Sequence, residues 1–300
     1  TDITSGSHNV LIGKDSGANI TTGNSNTVIG RSAGQELTTG SENVMIGVLA
    51  GHAYNSGRNI LIGHYAGFAL SNTQGYNIAI GYNAMQQCES YPTHNICMGH
   101  SAGLWGGGDN SIFIGREAGK GAAPVSSNSG NENIGIGHSA LNRVASGAEN
   151  VAIGSGAGTL LTSGTRNTIL GFEAAYKLTS SGSNVIIGAN SIVYSNSNLQ
   201  DCIIGSNCVI KSGAVIGGTG FGFDPKSKTR ITHIGNVLIG DNCNIGSNTT
   251  IDRAVFDSTV ISKNSFIDNL VQIAHNVCIG QGAIIAAQTG IAGSTLIGDN

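Results

Sequence analysis

His275 stands in the stretch "NLVQIAHNVCIG", residues 269–280, two places after the apolar Ile273. A neutral imidazole takes up a proton near working pH, so a histidine held open to solvent is a candidate general base. Gly293 lies 18 residues further on, and it too stands two places after an apolar residue, Ile291. If 18 residues make one turn of a stacked coil, the two positions share a face on adjacent rungs, roughly 4.8 Å apart along the axis. A base and a main-chain amide that polarises a carbonyl need about that separation. Glycine at 293 also leaves the surface open to an approaching substrate. Position alone leaves a solvated surface histidine as the competing reading.

The coil that would hold this pair is written in the spacing of isoleucines. Ile204, Ile210 and Ile216 are six apart, as are Ile239, Ile245 and Ile251; from Ile261 the rhythm runs without a fault through Ile267, Ile273, Ile279, Ile285, Ile291 and Ile297. Three hexads make one triangular coil of about 18 residues, with the apolar residue of each hexad pointing inward: a hexapeptide left-handed β-helix. The stretch "GGTGFGFDPKSKTRITHIGN", residues 217–236, breaks the rhythm and is expected to leave the coil as a loop.

Upstream the period is different. "NTVIGRSAG" at 26, "NVMIGVLAG" at 43, "NILIGHYAG" at 59 and further copies up to "NVIIG" at 184 recur mostly every 16 to 18 residues, with one spacing of 22 around the polar insert "KGAAPVSSNSGNEN". Such a period suits one turn of a parallel β-solenoid. The isoleucine before each glycine is expected to form an inward apolar column, the asparagine four residues before it a ladder of amides, and the glycine a corner of positive φ. The fold class is therefore all-β, an elongated parallel β-solenoid. Residues 1–200 are expected to form the coils of about 17 residues, and residues 201–300 the left-handed β-helix.

Composition agrees. Of 300 residues, 47 are Gly, 3 Pro and 1 Trp, and charged residues make up only 10%, which favours short strands joined by tight turns over helices. No run of about 18 apolar residues is present, so no membrane span is expected. The net charge of −3 without a basic block argues against nucleic acid. Six cysteines lie scattered without CxxC pairs, which fits a reducing compartment rather than a disulfide framework or a structural zinc. The chain starts at Thr1 and stops within the hexad rhythm at "LIGDN", so it reads as a fragment.

The segments "IGGTGFGFDP", "IGSNTTIDRAVFDSTVI", "IDNLVQIAHNV" and "GIAGSTLIG" together resemble the core of the UDP-3-O-(3-hydroxyacyl)glucosamine N-acyltransferase family of the lipid A pathway, over about residues 202–300. The resemblance implies an N-acyltransferase that moves a 3-hydroxyacyl group from acyl carrier protein to the 2-amine of a UDP-acylglucosamine. It implies a cytoplasmic homotrimer with active sites between neighbouring subunits and no metal or free nucleotide cofactor. It places the base at His275 and the oxyanion-binding N–H at Gly293. The family carries a uridine-binding domain ahead of its β-helix, where this chain has its first repeats, and a longer β-helix with helices after it. Residues 5–190 resemble the repeats of phage tail fibres and trimeric adhesin heads. That resemblance implies no chemistry and leaves a rival reading, a non-enzymatic fibre at a virion or cell surface, or a join of two unrelated segments.

Further residues carry open readings. Asp268 and Asn269 stand on the neighbouring side of the triangle and could orient the imidazole, bind substrate, or simply close a turn. Phe221 and Phe223 of "GFGF" could line a substrate channel or pack on each other. Asp252 and Arg253 of "TIDRA" are expected to be a structural ion pair. His64, His100 and His138 each follow a repeat glycine and share a face; with two rungs, roughly 9–10 Å, between the first two, a shared metal is not expected, since each ligand atom must lie about 2 Å from the ion. "GGTGFG" precedes no helical pattern, so it is not read as a dinucleotide loop.

Overall fold

The computed structural model describes residues 4–69, 75–87, 93–106, 108–121, 129–178 and 185–299. All regular structure among them is parallel β-strand, wound as a β-solenoid, and no helix is long and apolar enough to cross a membrane. The chain divides into two compact units, Thr1–Glu149 and Asn150–Asn300.

In the first unit each coil contributes one three-residue strand, from Val10–Ile12 to Ile134–Ile136. Within the unit successive strands pair in parallel register, as Thr27, Val28 and Ile29 do with Val44, Met45 and Ile46, up to Ile112–Ile114 with Ile134–Ile136. The expected ladder of amides is present. Asn43 Nδ2 donates to Asn26 Oδ1 at 3.0 Å, and Asn59 Nδ2 to Asn43 Oδ1 at 3.0 Å, all three residues being buried. The corner glycines have positive φ, as at Gly63 (φ 133°), where a Cβ would come within 2.5 Å of the Gly81 carbonyl oxygen.

The expected inward column needs correction. In the first unit the apolar residue before each repeat glycine faces outward, Ile12 being 56% exposed and Ile114 37%, whereas Val28, Met45 and Leu61 in the middle of their strands are fully buried; at the last repeat Ile187, before Gly188, does point inward. The asparagine sets the phase. Successive strand residues point to opposite faces, so with Asn26 turned inward, Val28 also points inward and Ile29 outward.

The second unit starts with two coils of the same kind, whose strands are Val151–Ile153 and Asn167–Leu170. From Val185 each coil carries three strands: Val185–Ile187, Ile192–Val193 and Asn198–Leu199 form the first set, and later sets pair onto it as three parallel sheets. The hexad isoleucines point inward as expected. Ile210, Ile216, Ile245, Ile251, Ile261 and Ile273 are fully buried. Fully burying such a side chain contributes about 1.5–3 kcal/mol, repeated on every side of every coil.

Residues 217–236 leave the coil. The strand Val215–Thr219 pairs onto Thr250–Arg253 with a register shift between Ile216 and Gly218. A short hairpin follows, bridged antiparallel between Phe223 and Arg230, and Asp224 caps its turn by accepting from the N–H groups of Lys226 and Ser227. The chain returns to the coil at the strand Asn236–Ile239.

Candidate active site

His275 follows the strand Gln272–Ile273 at a corner of the triangle. Two main-chain hydrogen bonds fix its rung to the next: the Ala274 N–H donates to the Ile291 carbonyl at 3.1 Å, and the Ser294 N–H to the His275 carbonyl at 3.0 Å. The ring is half-buried, on the flank of the coil and outside its apolar interior. It lies over Gly293. A Cβ at Gly293 would stand 2.9 Å from both Cε1 and Nε2 of the imidazole, closer than two carbon atoms can pack. Gly293 has no positive φ, so space rather than backbone conformation demands glycine here. Among the described residues the Gly293 N–H meets no acceptor, and neither does the N–H of His275 at the same position one coil earlier. The free amide is thus a property of this corner.

Asn276 orients the imidazole. Its Oδ1 accepts the Val255 N–H at 2.9 Å, and its Nδ2 donates to the Phe256 carbonyl at 3.0 Å, which fixes which end of the amide is oxygen. His275 Nδ1 lies 3.1 Å from that oxygen. An amide oxygen only accepts, so Nδ1 carries the proton and Nε2, the atom beside Gly293, is left as the base.

On its other side His275 meets two groups from the excursion. A Cβ at Gly220 would come 3.0 Å from His275 Cβ, and the His233 ring stands edge to face with the His275 ring, centroids 5.1 Å apart. Asp252, half-buried on the strand Thr250–Arg253, has its carboxyl held above the usual range by burial, opposed by the Gln272 side-chain amide, which donates to Oδ2 at 3.1 Å, and by the charges of His275 and His233. Asp252, Gln272, Ala274 and Ala292 line an open groove, with Phe221 and Arg230 of the excursion on its rim.

The other candidates divide. Phe221 is 85% exposed at the groove and packs edge to face on Phe223, centroids 5.0 Å apart. Asp268 Oδ1 accepts the N–H of Asn269 at 2.8 Å, and Asn269 Oδ1 accepts the N–H of Ser247 at 2.7 Å. Asp268 lines a separate groove with Lys211, Phe266 and Ile284, so the carboxylate beside the imidazole is Asp252. Asp252 and Arg253 do not pair with each other: Arg253 forms its ion pair with Asp201 and donates to Thr219 Oγ1 at 3.4 Å. His64, Tyr82 and His100 form a ring ladder, with centroid separations of 5.5 and 5.2 Å. Among the described residues no group of three His, Cys, Asp or Glu side chains is placed to share a metal. Burial pushes the thiols of Cys97 and Cys202 up to about 12, which removes them as nucleophiles; Cys88 lies outside the described residues.

Sequence reasoning passed over Asn276, His233 and Gln272, and gave Asp252 a structural role. In the sequence Asn276 is an asparagine three places before a hexad isoleucine, as are Asn242, Asn248 and Asn264, and all four have positive φ, so its signal was that of a turn rather than of a site. His233 had none, because the excursion follows no hexad phase.

UDP-3-O-acylglucosamine N-acyltransferase of Porphyromonas gingivalis is 55% identical over 86 residues, 28% of this chain and 25% of that protein. The enzyme of the same name from Chlorobium chlorochromatii is 56% identical over 89 residues, 29% and 25%. The chain therefore spans about a quarter of the length of the curated relatives it matches. Among solved structures, UDP-N-acetylglucosamine acyltransferase from Campylobacter jejuni aligns over 51% of this chain and 50% of its own at 24% identity, with a TM-score of 0.30. None of these matches supports the likeness of residues 5–190 to fibre or adhesin repeats. Residues 258–293 match the bacterial transferase hexapeptide family (six repeats), and both His275 and Gly293 lie inside that stretch.

Proposed function

We propose that the second unit carries the acyl-transfer centre of an N-acyltransferase, which moves a 3-hydroxyacyl group from acyl carrier protein to the 2-amine of a UDP-acylglucosamine. The observation that carries this reading is the His275–Gly293 pair, an imidazole with its free Nε2 over a main-chain amide that has no other acceptor. Nε2 takes a proton from the attacking amine as the new C–N bond forms. The carbonyl oxygen of the thioester gathers negative charge and accepts a hydrogen bond from the Gly293 N–H. Collapse of the tetrahedral intermediate breaks the C–S bond, and the imidazolium returns its proton to the leaving thiolate. Asn276 keeps the proton-accepting nitrogen on the correct side throughout.

The groove beside Phe221, Gln272 and Ala292 takes the acyl thioester or the sugar, and Asp268 and Asn269, on their separate flank, serve substrate bound by a neighbouring subunit of a homotrimer. Residues 1–200 serve as a structural stalk, residues 201–300 as the catalytic part, and the reaction needs no metal and takes place in the cytoplasm. What supports the substrate class is the 55–56% identity to UDP-3-O-acylglucosamine N-acyltransferases over 86–89 residues of the chain.

The test is N-acyl transfer from 3-hydroxyacyl acyl carrier protein to a UDP-acylglucosamine, with the parent chain and with His275→Ala. Transfer by the parent, reduced about 10²–10⁴-fold in the variant with its oligomeric state unchanged, is expected. Transfer that survives the substitution overturns the role of His275. A parent chain that transfers nothing overturns the enzyme reading and leaves a structural solenoid.

A further inference from the structure

His233 lies in the excursion, outside the coil, yet it is only 2% exposed. Its Nδ1 stands 3.0 Å from the Ile231 carbonyl oxygen. A carbonyl only accepts, so in the neutral ring Nδ1 carries the proton and Nε2 holds a lone pair. That Nε2 is buried and, among the described residues, has no hydrogen-bond partner. Leaving a buried acceptor unpaired is unfavourable, and an apolar side chain of similar size would avoid it. The unpaired edge is turned toward His275: a Cβ at Gly220 would come 2.8 Å from His233 Nε2 and 3.0 Å from His275 Cβ, so both atoms border one small space that only glycine leaves open. The two rings meet edge to face, 5.1 Å between centroids and 73° between planes.

We infer that His233 is a positioning residue for His275: its buried lone pair stabilises the cation that His275 becomes when it takes a proton. In the resting site the His275 ring beside this lone pair carries no positive charge. Once the base is protonated, the negative end of the His233 ring lies beside a positive one, and the interaction is gained where it lowers a barrier rather than where it tightens ground-state binding. The titratable groups facing His275 are His233, from the excursion, and Asp252, from the strand Thr250–Arg253; both act in the same direction. The kinetic consequence rests on the acyl-transfer reading, whereas the electrostatic one does not.

The test compares the full chain with His233→Phe, which keeps a ring and loses the lone pair, and His233→Gln, which restores an acceptor oxygen. The first readout needs no substrate: the ring of His275 is titrated by ¹⁵N–¹H NMR from about pH 5 to about pH 8. His233→Phe is expected to lower the midpoint by about half to one unit, and His233→Gln to leave it near that of the parent. The second is N-acyl transfer, where His233→Phe lowers kcat about tenfold with KM nearly unchanged and His233→Gln recovers most of the loss. Melting by circular dichroism establishes that each variant folds; if the phenylalanine variant does not, His233→Leu carries the same comparison. Equal midpoints in the parent and the folded apolar variant overturn the inference, as does an equal fall in kcat for the apolar and glutamine variants. A shifted midpoint in a chain that transfers no acyl group supports the electrostatic pairing and overturns the acyl-transfer reading alone.

Discussion

Asn276 Oδ1 accepts from His275 Nδ1 at 3.1 Å and from the Val255 N–H at 2.9 Å, so one side-chain oxygen ties the candidate base to the turn beneath it. The relationship predicts a catalytic loss that is not a folding loss. Asn276 has φ +59°, so Asn276→Gly removes the amide without adding backbone strain. With Nδ1 unpaired, the ring can take the other tautomer or rotate, and kcat for acyl transfer is expected to fall about 10–10²-fold while the far-UV circular dichroism is unchanged. Asn276→Asp, which still offers an oxygen to Nδ1, is expected to retain more activity than the glycine variant. An Asn276→Gly protein with parental kcat would separate the orientation of the ring from this contact.

Gly293→Ala places a methyl group 2.9 Å from Cε1 and Nε2 of the imidazole. Either the ring swings off the amide or the rung shifts. Because Gly293 is exposed and has no positive φ, stability is expected to change by less than about 1 kcal/mol. Acyl transfer is expected to fall at least tenfold, since the base and the oxyanion donor no longer flank one reacting carbon. Urea denaturation beside steady-state kinetics checks both halves of the statement.

The limits of the sequence as a guide are visible in particular residues. The hexad isoleucines were legible because one inward position recurs every six residues and the strands are too short to offer a second. In the first unit, strands such as Ile60-Leu61-Ile62 are apolar at every position, so hydrophobicity could not say which side faces in; the Asn43–Asn59 amide ladder decides it. The three-strand coils begin at Val185, where Ile187, Val193 and Leu199 are already buried six apart, but the next buried isoleucine, Ile204, comes after five and masks the rhythm. Coil length puts His275 and Gly293 on one face, whereas the choice of this pair among all positions 18 apart came from the resemblance. Asp252 and His233 stand 23 and 42 positions before His275: the coil between Asp252 and His275 is stretched by the ten-residue step from Ile251 to Ile261, and His233 lies in the excursion, outside the hexad phase, so the six-residue rhythm relates neither to the base.

Asp252 joins stability to pH. Burial holds its carboxyl above the usual range, so the folded chain binds that proton more tightly than the unfolded chain does. The stability this contributes is complete below the unfolded value, near pH 4, and is lost as pH rises through the folded value. Asparagine resembles the protonated acid. Asp252→Asn is therefore expected to melt at a higher temperature than the parent at pH 7, with the difference shrinking toward about pH 4. The same variant loses the negative charge that faces His275, so its acyl transfer is expected to be slower. A thermal melting series across pH, read against kcat, tests whether this carboxylate is kept at the expense of stability; a parent that melts higher than the variant at pH 7 would reverse the sign.

Asn43 tests what holds the first unit together. Its Oδ1 accepts from both the N–H and the Nδ2 of Asn59 at 3.0 Å each, while its own Nδ2 donates to Asn26 Oδ1 and to the Ser56 carbonyl. All three asparagines are buried, so no water replaces what is removed. Asn43→Ala leaves the Asn59 N–H and the Ser56 carbonyl without these partners, and takes one of two hydrogen bonds from Asn59 Nδ2, which keeps the Gly57 carbonyl, and from Asn26 Oδ1, which keeps the main-chain N–H of residue 43; the expected cost is about 2–4 kcal/mol, well above that of an exposed polar contact. Asn43→Asp keeps the acceptors for Asn59 but cannot donate to Asn26 and buries a charge in the ladder, so it is expected to be at least as damaging above about pH 5 and milder below it. Ile29→Ser, one of the outward isoleucines of a neighbouring coil, is the control: its side chain stands outside the core, and a smaller loss is expected. Should urea denaturation find Ile29→Ser as costly as Asn43→Ala, the apolar outer face rather than the amide ladder would be what secures these coils.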